Sequence, residues 1–355
     1  MKIKLAILDS DVNYLSRLTS AFESKYTEKL EVYFFTNKDI AISSLTENRI
    51  DMLVASEAFE IDKSKIPNRC GFAYFVTSPD IETLHNEKAI CKFQKVDMIY
   101  KQILSIYSET LENSTGFKFG SDIVTRTIVF TSASGGTGAS SSAAACAKSL
   151  ASAGKKVLYL NLEDFGDPDV FFSGEGQFNL SDVIYALKGK KASVVLKLES
   201  FVKEDLSGVF FYSGVKSAID LMELKNEDLD FLLDNIKKAG SYDFVVFDIN
   251  FSFDSLFINL YKQSDAVIFV SDGSEIANRK LMKTYNALEV YEQMKDISLL
   301  SKAVLMYNKF SNKTGAVIED INMRTIGGVG RFDHATTSQV VEQLAKNEIF
   351  TKIFD

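Results

Sequence analysis

The segment RTIVFTSASGGTGASS, which starts at position 126, contains the residues best suited to bind a ligand. Gly135, Gly136 and Gly138 would let backbone N–H groups approach an anion closely, and the helix predicted after them adds the positive end of its dipole. Such a cradle fits a phosphate group, and the hydroxyl of Ser140 could bind an accompanying Mg²⁺ ion. A standard phosphate-binding loop ends in Gly-Lys-Ser/Thr, but Ala139 stands here in the place of the lysine.

Asp248 is the second residue that could bind a metal, because it follows the apolar run FVVF. Apolar residues that end in an aspartate are the Walker B arrangement, in which a buried strand carries a carboxylate to the edge of the sheet. Asn161 and Glu163 come at the end of another apolar strand, in the sequence VLYLNLE. Ser140 and Asp248 are therefore the predicted metal ligands.

Alternating strands and helices must position these residues. In the first part of the chain, strands are predicted at residues 3–8, 30–35, 50–55, 71–77 and 89–93. Helices are predicted there at residues 38–47, 81–86 and 95–111, and a further helical pattern runs through Leu15, Leu18, Phe22 and Tyr26. This alternation predicts βαβ units, a parallel sheet and a flavodoxin-like five-stranded domain, with any site at the carboxyl ends of the strands.

The second part of the chain begins at the cradle and shows the same alternation. Its strands are predicted at residues 127–131, 157–162, 193–197, 209–212, 243–249, 266–270, 303–307 and 325–332. Its helices are predicted at residues 140–153, 180–187, 226–239, 279–294, 317–323 and 336–350. The chain is thus expected to be α/β with two domains, residues 1–111 and 124–355, joined by a polar linker at 112–123. The larger domain is predicted to be a P-loop nucleotide-binding fold with a mostly parallel sheet.

Composition narrows the classes of function. The chain is 46% hydrophobic and 25% charged, which is ordinary for globular domains, and its net charge of −8 disfavours a dominant nucleic-acid surface. Cys70, Cys91 and Cys146 lack metal or disulfide spacing and favour a reducing cytoplasm, and two histidines make a histidine metal site improbable. No apolar stretch is long enough to span a membrane, and Asp9 arrives too early for a secretory signal.

The first third of the chain resembles a response-regulator receiver domain. That family has an acidic pair after strand one, a phosphoacceptor aspartate after strand three, and a Thr or Ser and a Lys after the next two strands. Asp9 and Asp11 stand near the first place, Thr77 matches the fourth strand and Lys95 the fifth. Ser56 occupies the phosphoacceptor place, and a neutral serine can neither attack a phosphoryl donor as a carboxylate does nor supply a metal-binding charge. The resemblance therefore implies a docking module that is not phosphorylated.

Residues 124–355 resemble the deviant-Walker ATPases of the MinD/ParA class, which carry KGGxGK[ST]T, a strand ending in D-x-D, YDxxxxD and a strand ending in Asn. The resemblance implies ATP and Mg²⁺ as cofactors, Asn308 as the residue that contacts adenine, and Arg331 and Phe332 near the adenine pocket. The complete set of predicted cofactor-binding residues is Ser134, Gly135, Gly136, Thr137, Gly138, Ala139, Ser140, Ser141, Asn308, Arg331 and Phe332.

Three departures from this class affect the chemistry. Ser134 stands where the class has the lysine that reaches across a dimer, and Ala139 stands where the P-loop lysine would be. Asn161 and Glu163 replace the D-x-D pair that helps hold the metal and position the attacking water. Oriented groups of this kind contribute a few kcal/mol each, or on the order of a hundredfold in rate. ATP binding is therefore expected, hydrolysis is expected to be weak or absent, and no residue is assigned a catalytic role.

The order of the two domains is similar to that of the TadZ/CpaE group, assembly and localisation proteins of tight-adherence (Tad) pili. This resemblance implies a cytoplasmic homodimer that places pilus or secretion machinery at a pole or at the inner face of the membrane. Peripheral membrane association is left open. The alternatives are an active MinD-like ATPase that places flagella or division machinery, and a ParA-like partitioning ATPase.

Overall fold

A computed structural model describes residues 2–111, 124–189 and 193–354. The predicted linker at 112–123 lies outside the described residues. The chain divides into two compact units: the first is Met1–Ser121 with Tyr185–Phe201, and the second is Asp122–Ile184 with Val202–Asp355. The first unit thus includes a segment that lies far along the chain, which the sequence patterns did not indicate.

The helices and strands follow one another in βαβ order over most of the chain. The strands are β1 Ile3–Leu8, β2 Leu30–Phe35, β3 Met52–Ser56, β4 Gly71–Val76, β5 Thr83–Leu84, β6 Glu87–Cys91, β7 Arg126–Thr131, β8 Val157–Asn161, β9 Lys203–Glu204, β10 Val209–Phe211, β11 Phe244–Asp248, β12 Ala266–Ser271, β13 Ala303–Phe310 and β14 Arg324–Gly330. The α-helices are α1 Val12–Tyr26, α2 Lys38–Glu47, α3 Val96–Thr110, α4 Ala139–Ser152, α5 Leu180–Lys188, α6 Val194–Phe201, α7 Ala218–Met222, α8 Asn226–Ala239, α9 Ser255–Gln263, α10 Glu275–Lys295 and α11 Thr337–Ala345.

The first unit is built on a sheet with the strand order β2-β1-β3-β4-β6-β5. All neighbouring strands are parallel except the short β5, which pairs antiparallel with β6. The helix predicted at residues 81–86 is therefore wrong: β5 and β6 form a hairpin there. Its two turn residues, His85 and Asn86, both have left-handed backbone, with φ of 51° and 64°. A two-residue hairpin turn requires such angles, and a helix cannot contain them.

The second unit is built on a sheet with the order β14-β13-β12-β7-β11-β8-β10-β9, and only the β9–β10 pair is antiparallel. The predicted α/β class with mostly parallel sheets is confirmed. Because β7, β8, β11 and β13 are parallel, their carboxyl ends lie at one edge of the sheet. The small residues at positions 142–147 of α4 are all buried, so this helix packs closely against the strands.

Two further local predictions are wrong. Residues 193–197 were predicted as a strand, but residues 194–197 form the first half of α6, because a short apolar run such as VVLKL has no periodicity that separates strand from helix. Residues 317–323 are described and do not form the predicted helix. Ile318 N donates instead to Tyr307 Oη at 2.8 Å. Among the described residues, no helix combines the length and the apolar character needed to cross a bilayer.

Candidate functional site

The glycine-rich loop after β7 is organised by the hydroxyl of Ser132. Its Oγ accepts hydrogen bonds from Ser134 N at 3.1 Å and from Thr137 Oγ1 at 3.0 Å. The same Oγ lies 2.7 Å from the carbonyl oxygens of Ser134 and Val270, so it ties the loop to β12. Ser132 was not predicted to belong to the site, because nothing in the sequence distinguishes it from the other small polar residues of the loop.

The glycines give the loop the shape of an anion cradle. Gly136 and Gly138 have left-handed backbone, with φ of 81° and 86°. Residues other than glycine, asparagine and aspartate rarely adopt this conformation. A side chain built at Gly135 or Gly136 would point into open space. Gly138 is the N-cap of α4 and provides no side-chain cap, so the first N–H groups of that helix are open to an anion. Ala139, Ser140 and Ser141 form the first turn of α4.

Asp248 lies at the end of β11 in a buried hydrogen-bonded network. The parallel register places Asp248 opposite Asn161, and Asp248 Oδ2 accepts from Asn161 Nδ2 and from Tyr159 Oη, both at 2.8 Å. Asp248 Oδ1 is buried and has no hydrogen-bond partner among the described residues. Burial, and then the charge of Glu163, raise the pKa of Asp248 to about 7.

Glu163 and Ser140 complete this side of the site. Ser140 Oγ donates to Glu163 Oε2 at 3.1 Å, and the Glu163 N–H donates to Asn161 Oδ1 at 3.0 Å. Gly166 is required beside them, because a side chain there would lie 1.9 Å from Asn161 Oδ1. The structure thus brings Ser140, Asp248, Asn161 and Glu163 together.

These residues fit a Mg²⁺ ion that accompanies phosphates. The unpartnered Oδ1 of Asp248 and the hydroxyl of Ser140 are oxygen ligands of the kind that Mg²⁺ prefers. Within the described ranges, no three His, Cys, Asp or Glu side chains are clustered as a metal site. A bound Mg²⁺ would therefore take its other ligands from phosphate and water, and it would neutralise phosphate charge.

A cavity of about 650 Å³ lies beside the cradle. It is lined by Gly136, Asn308, Arg331 and Phe332, so it brings together four of the predicted cofactor-binding residues. The volume is in the usual range for small-molecule sites. Asn308 is almost fully buried, and its Nδ2 donates to the carbonyl of Thr137 at 2.9 Å. Its amide nitrogen therefore contacts the cradle itself.

In the first unit, the carboxyl ends of the strands carry an ion pair where a receiver would hold a metal. Lys92 Nζ lies 2.5 Å from Asp9 Oδ2; the Asp9 side chain is buried, and that of Lys92 is 10% exposed. Ser56 ends β3 and is buried. Thr77 Oγ1 donates to Glu57 Oε1 at 3.0 Å.

The expectation about the lysine of this site is corrected. Lys95 was assigned the lysine place, but Lys92 contacts Asp9, because the last parallel strand ends at Cys91 rather than at Phe93. Lys95 is instead the N-cap residue of α3. The carboxylate of Asp11 caps α1 by accepting from Tyr14 N at 3.0 Å.

Comparison with known families decides what the two parts are. Residues 1–108 match the family model described as a TadZ-like receiver domain, and residues 125–299 match the family model described as an AAA domain. Residues 1–108 are thus similar to a TadZ-like receiver domain and residues 125–299 to an AAA domain, and the two segments are referred to below by these descriptions. No curated protein matches it.

The solved structures that resemble the chain are ParA and MinD proteins. A ParA family ATPase from Chlorobium tepidum is 20% identical, with a TM-score of 0.53 over 66% of this chain and 97% of the other. MinD in its complex with MinC from Aquifex aeolicus is 17% identical, with a TM-score of 0.48 over 62% and 94%. MinD with Mg-ADP from Pyrococcus horikoshii is 18% identical, with a TM-score of 0.47 over 62% and 95%. The first of these likenesses gives the AAA domain a ParA-type fold.

Besides Ser132, three residues of the two sites were not predicted from the sequence. Tyr159 lies two positions before Asn161 on β8, so strand alternation could have placed both on one face of the AAA domain's sheet. Lys92 of the TadZ-like receiver domain follows β6 directly, and a strand boundary two residues earlier would have identified it. Lys309 follows Asn308 and donates from Nζ to the carbonyl of Gly136 at 2.8 Å. No sequence signal placed it against the cradle.

Proposed function

We propose that this protein is an ATP-binding scaffold or slow nucleotide switch that localises or assembles Tad-type pilus or secretion machinery. ATP with Mg²⁺ occupies the cradle of the AAA domain, and hydrolysis is weak or absent. The TadZ-like receiver domain docks partners and is not phosphorylated, because Ser56 lacks a carboxylate and Lys92 neutralises Asp9.

One observation carries the proposal. The residues of the cradle and of its metal-binding side are present, whereas the two positions that hold a lysine in the MinD/ParA class hold uncharged residues here. The left-handed Gly136 and Gly138 and the unpartnered Oδ1 of Asp248 suit phosphate and Mg²⁺. Ser134 and Ala139 cannot stabilise the charge that develops in the transition state of phosphoryl transfer. Binding needs the backbone groups, whereas rapid turnover needs the lysines.

The protein is further proposed to act as a homodimer across the nucleotide face. The similarity to the MinD/ParA class supports this arrangement. Phe165, two residues after Glu163, is 93% exposed, and a partner over this face would cover it. The match of residues 1–108 to a model described as a TadZ-like receiver domain supports the pilus context, because the order of the two domains is similar to that of the TadZ/CpaE group.

Isothermal calorimetry with the full-length chain tests nucleotide binding. We expect ATP to bind in the presence of Mg²⁺ and to bind at least tenfold more weakly when the metal is chelated, because the ion and Asp248 act together. The Asp248→Asn variant keeps the side-chain shape and should lose most of this metal dependence. Asp234→Asn removes the same charge from the exposed face of α8 and should behave as wild type. The proposal fails if neither ATP nor ADP binds at millimolar concentration.

A further inference from the structure

Two consecutive side chains at the end of β13 contact the cradle. The pairing of β13 with β14 shifts register between Tyr307 and Phe310, so Asn308 and Lys309 leave the regular ladder. Lys309 has a left-handed backbone, with φ of 57°, which is uncommon for a lysine. A register shift of this kind turns side chains away from their usual alternation. Here it allows two neighbouring residues to contact the same loop.

Both side chains donate to carbonyl groups of the cradle. Asn308 Nδ2 donates to Thr137 O at 2.9 Å, and Lys309 Nζ donates to Gly136 O at 2.8 Å. They also fill the space that a side chain at Gly138 would need, with Asn308 Nδ2 at 2.4 Å and Lys309 Cε at 3.4 Å from its place. Position 138 therefore requires glycine for two reasons: the two β13 side chains occupy the space of a side chain there, and the backbone is left-handed.

Holding these carbonyls fixes the direction of the N–H groups next to them. A peptide unit is planar and trans, so the carbonyl of one residue points opposite to the N–H of the next. With Gly136 O and Thr137 O held toward β13, the N–H groups of Thr137 and Gly138 both point away from it. Successive N–H groups directed to one side bind an anion, whereas a carbonyl turned to that side would repel it.

Lys309 also brings a positive charge that has no ion-pair partner within the described part of the chain. Its ammonium group forms no ion pair with the described carboxylates, and only one of its three donors is used, on Gly136 O. The other cation that lines the cavity, Arg331, has its Nε 3.4 Å from Asp333 Oδ1. The cradle has lost the lysines at positions 134 and 139, so Lys309 is the cation that contacts its backbone.

We propose that Asn308 and Lys309 are positioning residues that hold the cradle in its phosphate-binding form. Their effect is on the phosphate part of the ligand, because they orient the N–H groups that would contact it. The charge of Lys309 strengthens the same N–H groups as anion donors. This inference rests on the proposed function, since it assumes that the cradle binds the phosphates of a nucleotide.

The test compares Lys309→Met with wild type for three ligands, ATP, inorganic pyrophosphate and adenosine, by calorimetry with the full-length chain. Methionine keeps an unbranched stem but removes the donor and the charge. We expect the affinity for ATP and for pyrophosphate to fall about tenfold and that for adenosine to stay unchanged. Lys309→Arg keeps a donor and a charge and should restore most of the loss. Lys313→Met removes one charge from an exposed neighbour and serves as the matched control.

The outcomes distinguish an effect of Lys309 on phosphate binding from an effect on base binding, on the fold or through distant charge. An equal loss for adenosine and ATP would mean that Lys309 supports the base or the general fold, and the inference would be wrong. The inference would also be wrong if Lys313→Met weakened ATP binding as much as Lys309→Met, since only distant charge would then matter. If wild type bound ATP and Lys309→Met bound it equally well, the inference alone would fail. If wild type bound neither ATP nor pyrophosphate, the proposed function would fail with it.

Discussion

At the scale of single residues, Asp248 sets the conditions under which the metal side of the site is charged. Its carboxyl group is fully buried between Tyr159 and Asn161, and burial followed by the charge of Glu163 raises its pKa to about 7. The pKa of an aspartate in an unfolded chain is about 3.9. At pH values between these two pKa values, Asp248 therefore keeps its proton in the folded protein, whereas the same side chain has lost it in the unfolded chain.

This difference makes the free energy of unfolding depend on pH. Since the pKa of Asp248 is raised by folding, its contribution to stability is complete below about pH 4 and is lost as the pH rises toward and through 7. The neutral Asp248→Asn variant lacks this loss. Between pH 5 and pH 8, we expect the free energy of unfolding of wild type to fall by about 2 kcal/mol relative to that of the variant. Urea unfolding without nucleotide or metal measures this difference. Identical pH slopes for the two proteins would contradict the assignment.

At the scale of helices and strands, the motif-bearing elements could be predicted and the irregular contacts could not. The strand β7, the helix α4 and the strand that ends at Asp248 were predicted, because they follow from apolar runs broken by glycines or an acid. The contact of Lys309 with Gly136 O was not predictable, because it depends on a register shift in the β13–β14 pairing. Propensity and periodicity carry no information about such a shift.

The helix α6 shows a second limit of sequence patterns. Its apolar run VVLKL fits a strand as well as a helix, and nothing local says which core it enters. In the structure, Leu196 is fully buried among residues of the receiver-like sheet and helices, including Ile103 and Tyr107 of α3. Glu199 of the same helix forms an ion pair with Lys29. A contact between positions so far apart in the chain is set by packing, which one sequence does not display.

A substitution in α6 tests this packing. Leu196→Ala removes a fully buried side chain and should lower the free energy of unfolding of the first unit by about 2–4 kcal/mol, because it leaves a cavity. Leu206→Ala changes a leucine that is fully exposed and should have almost no effect. Urea unfolding followed by tyrosine fluorescence and far-UV circular dichroism compares the two variants. Equal stability of both would show that α6 does not belong to the core of the first unit.

At the scale of the whole molecule, both parts keep the shape of a site and lack the groups that drive its chemistry. The TadZ-like receiver domain has Ser56 in the phosphoacceptor place and Lys92 paired with Asp9. The AAA domain has Ser134 and Ala139 in place of two lysines. The losses differ in kind, since the receiver site is closed by an ion pair, whereas the cradle remains open beside a cavity of about 650 Å³.

The fate of bound nucleotide tests the central claim most directly. Full-length protein would be incubated with ATP and Mg²⁺, separated rapidly from free nucleotide, and the retained nucleotide identified by chromatography while released phosphate is measured. We expect ATP to be recovered largely intact, with phosphate release no faster than in the Asp248→Asn variant, because the lysines that stabilise the transition state are absent. Recovery of ADP together with sustained phosphate release well above that variant would contradict the account, as would the absence of any retained nucleotide.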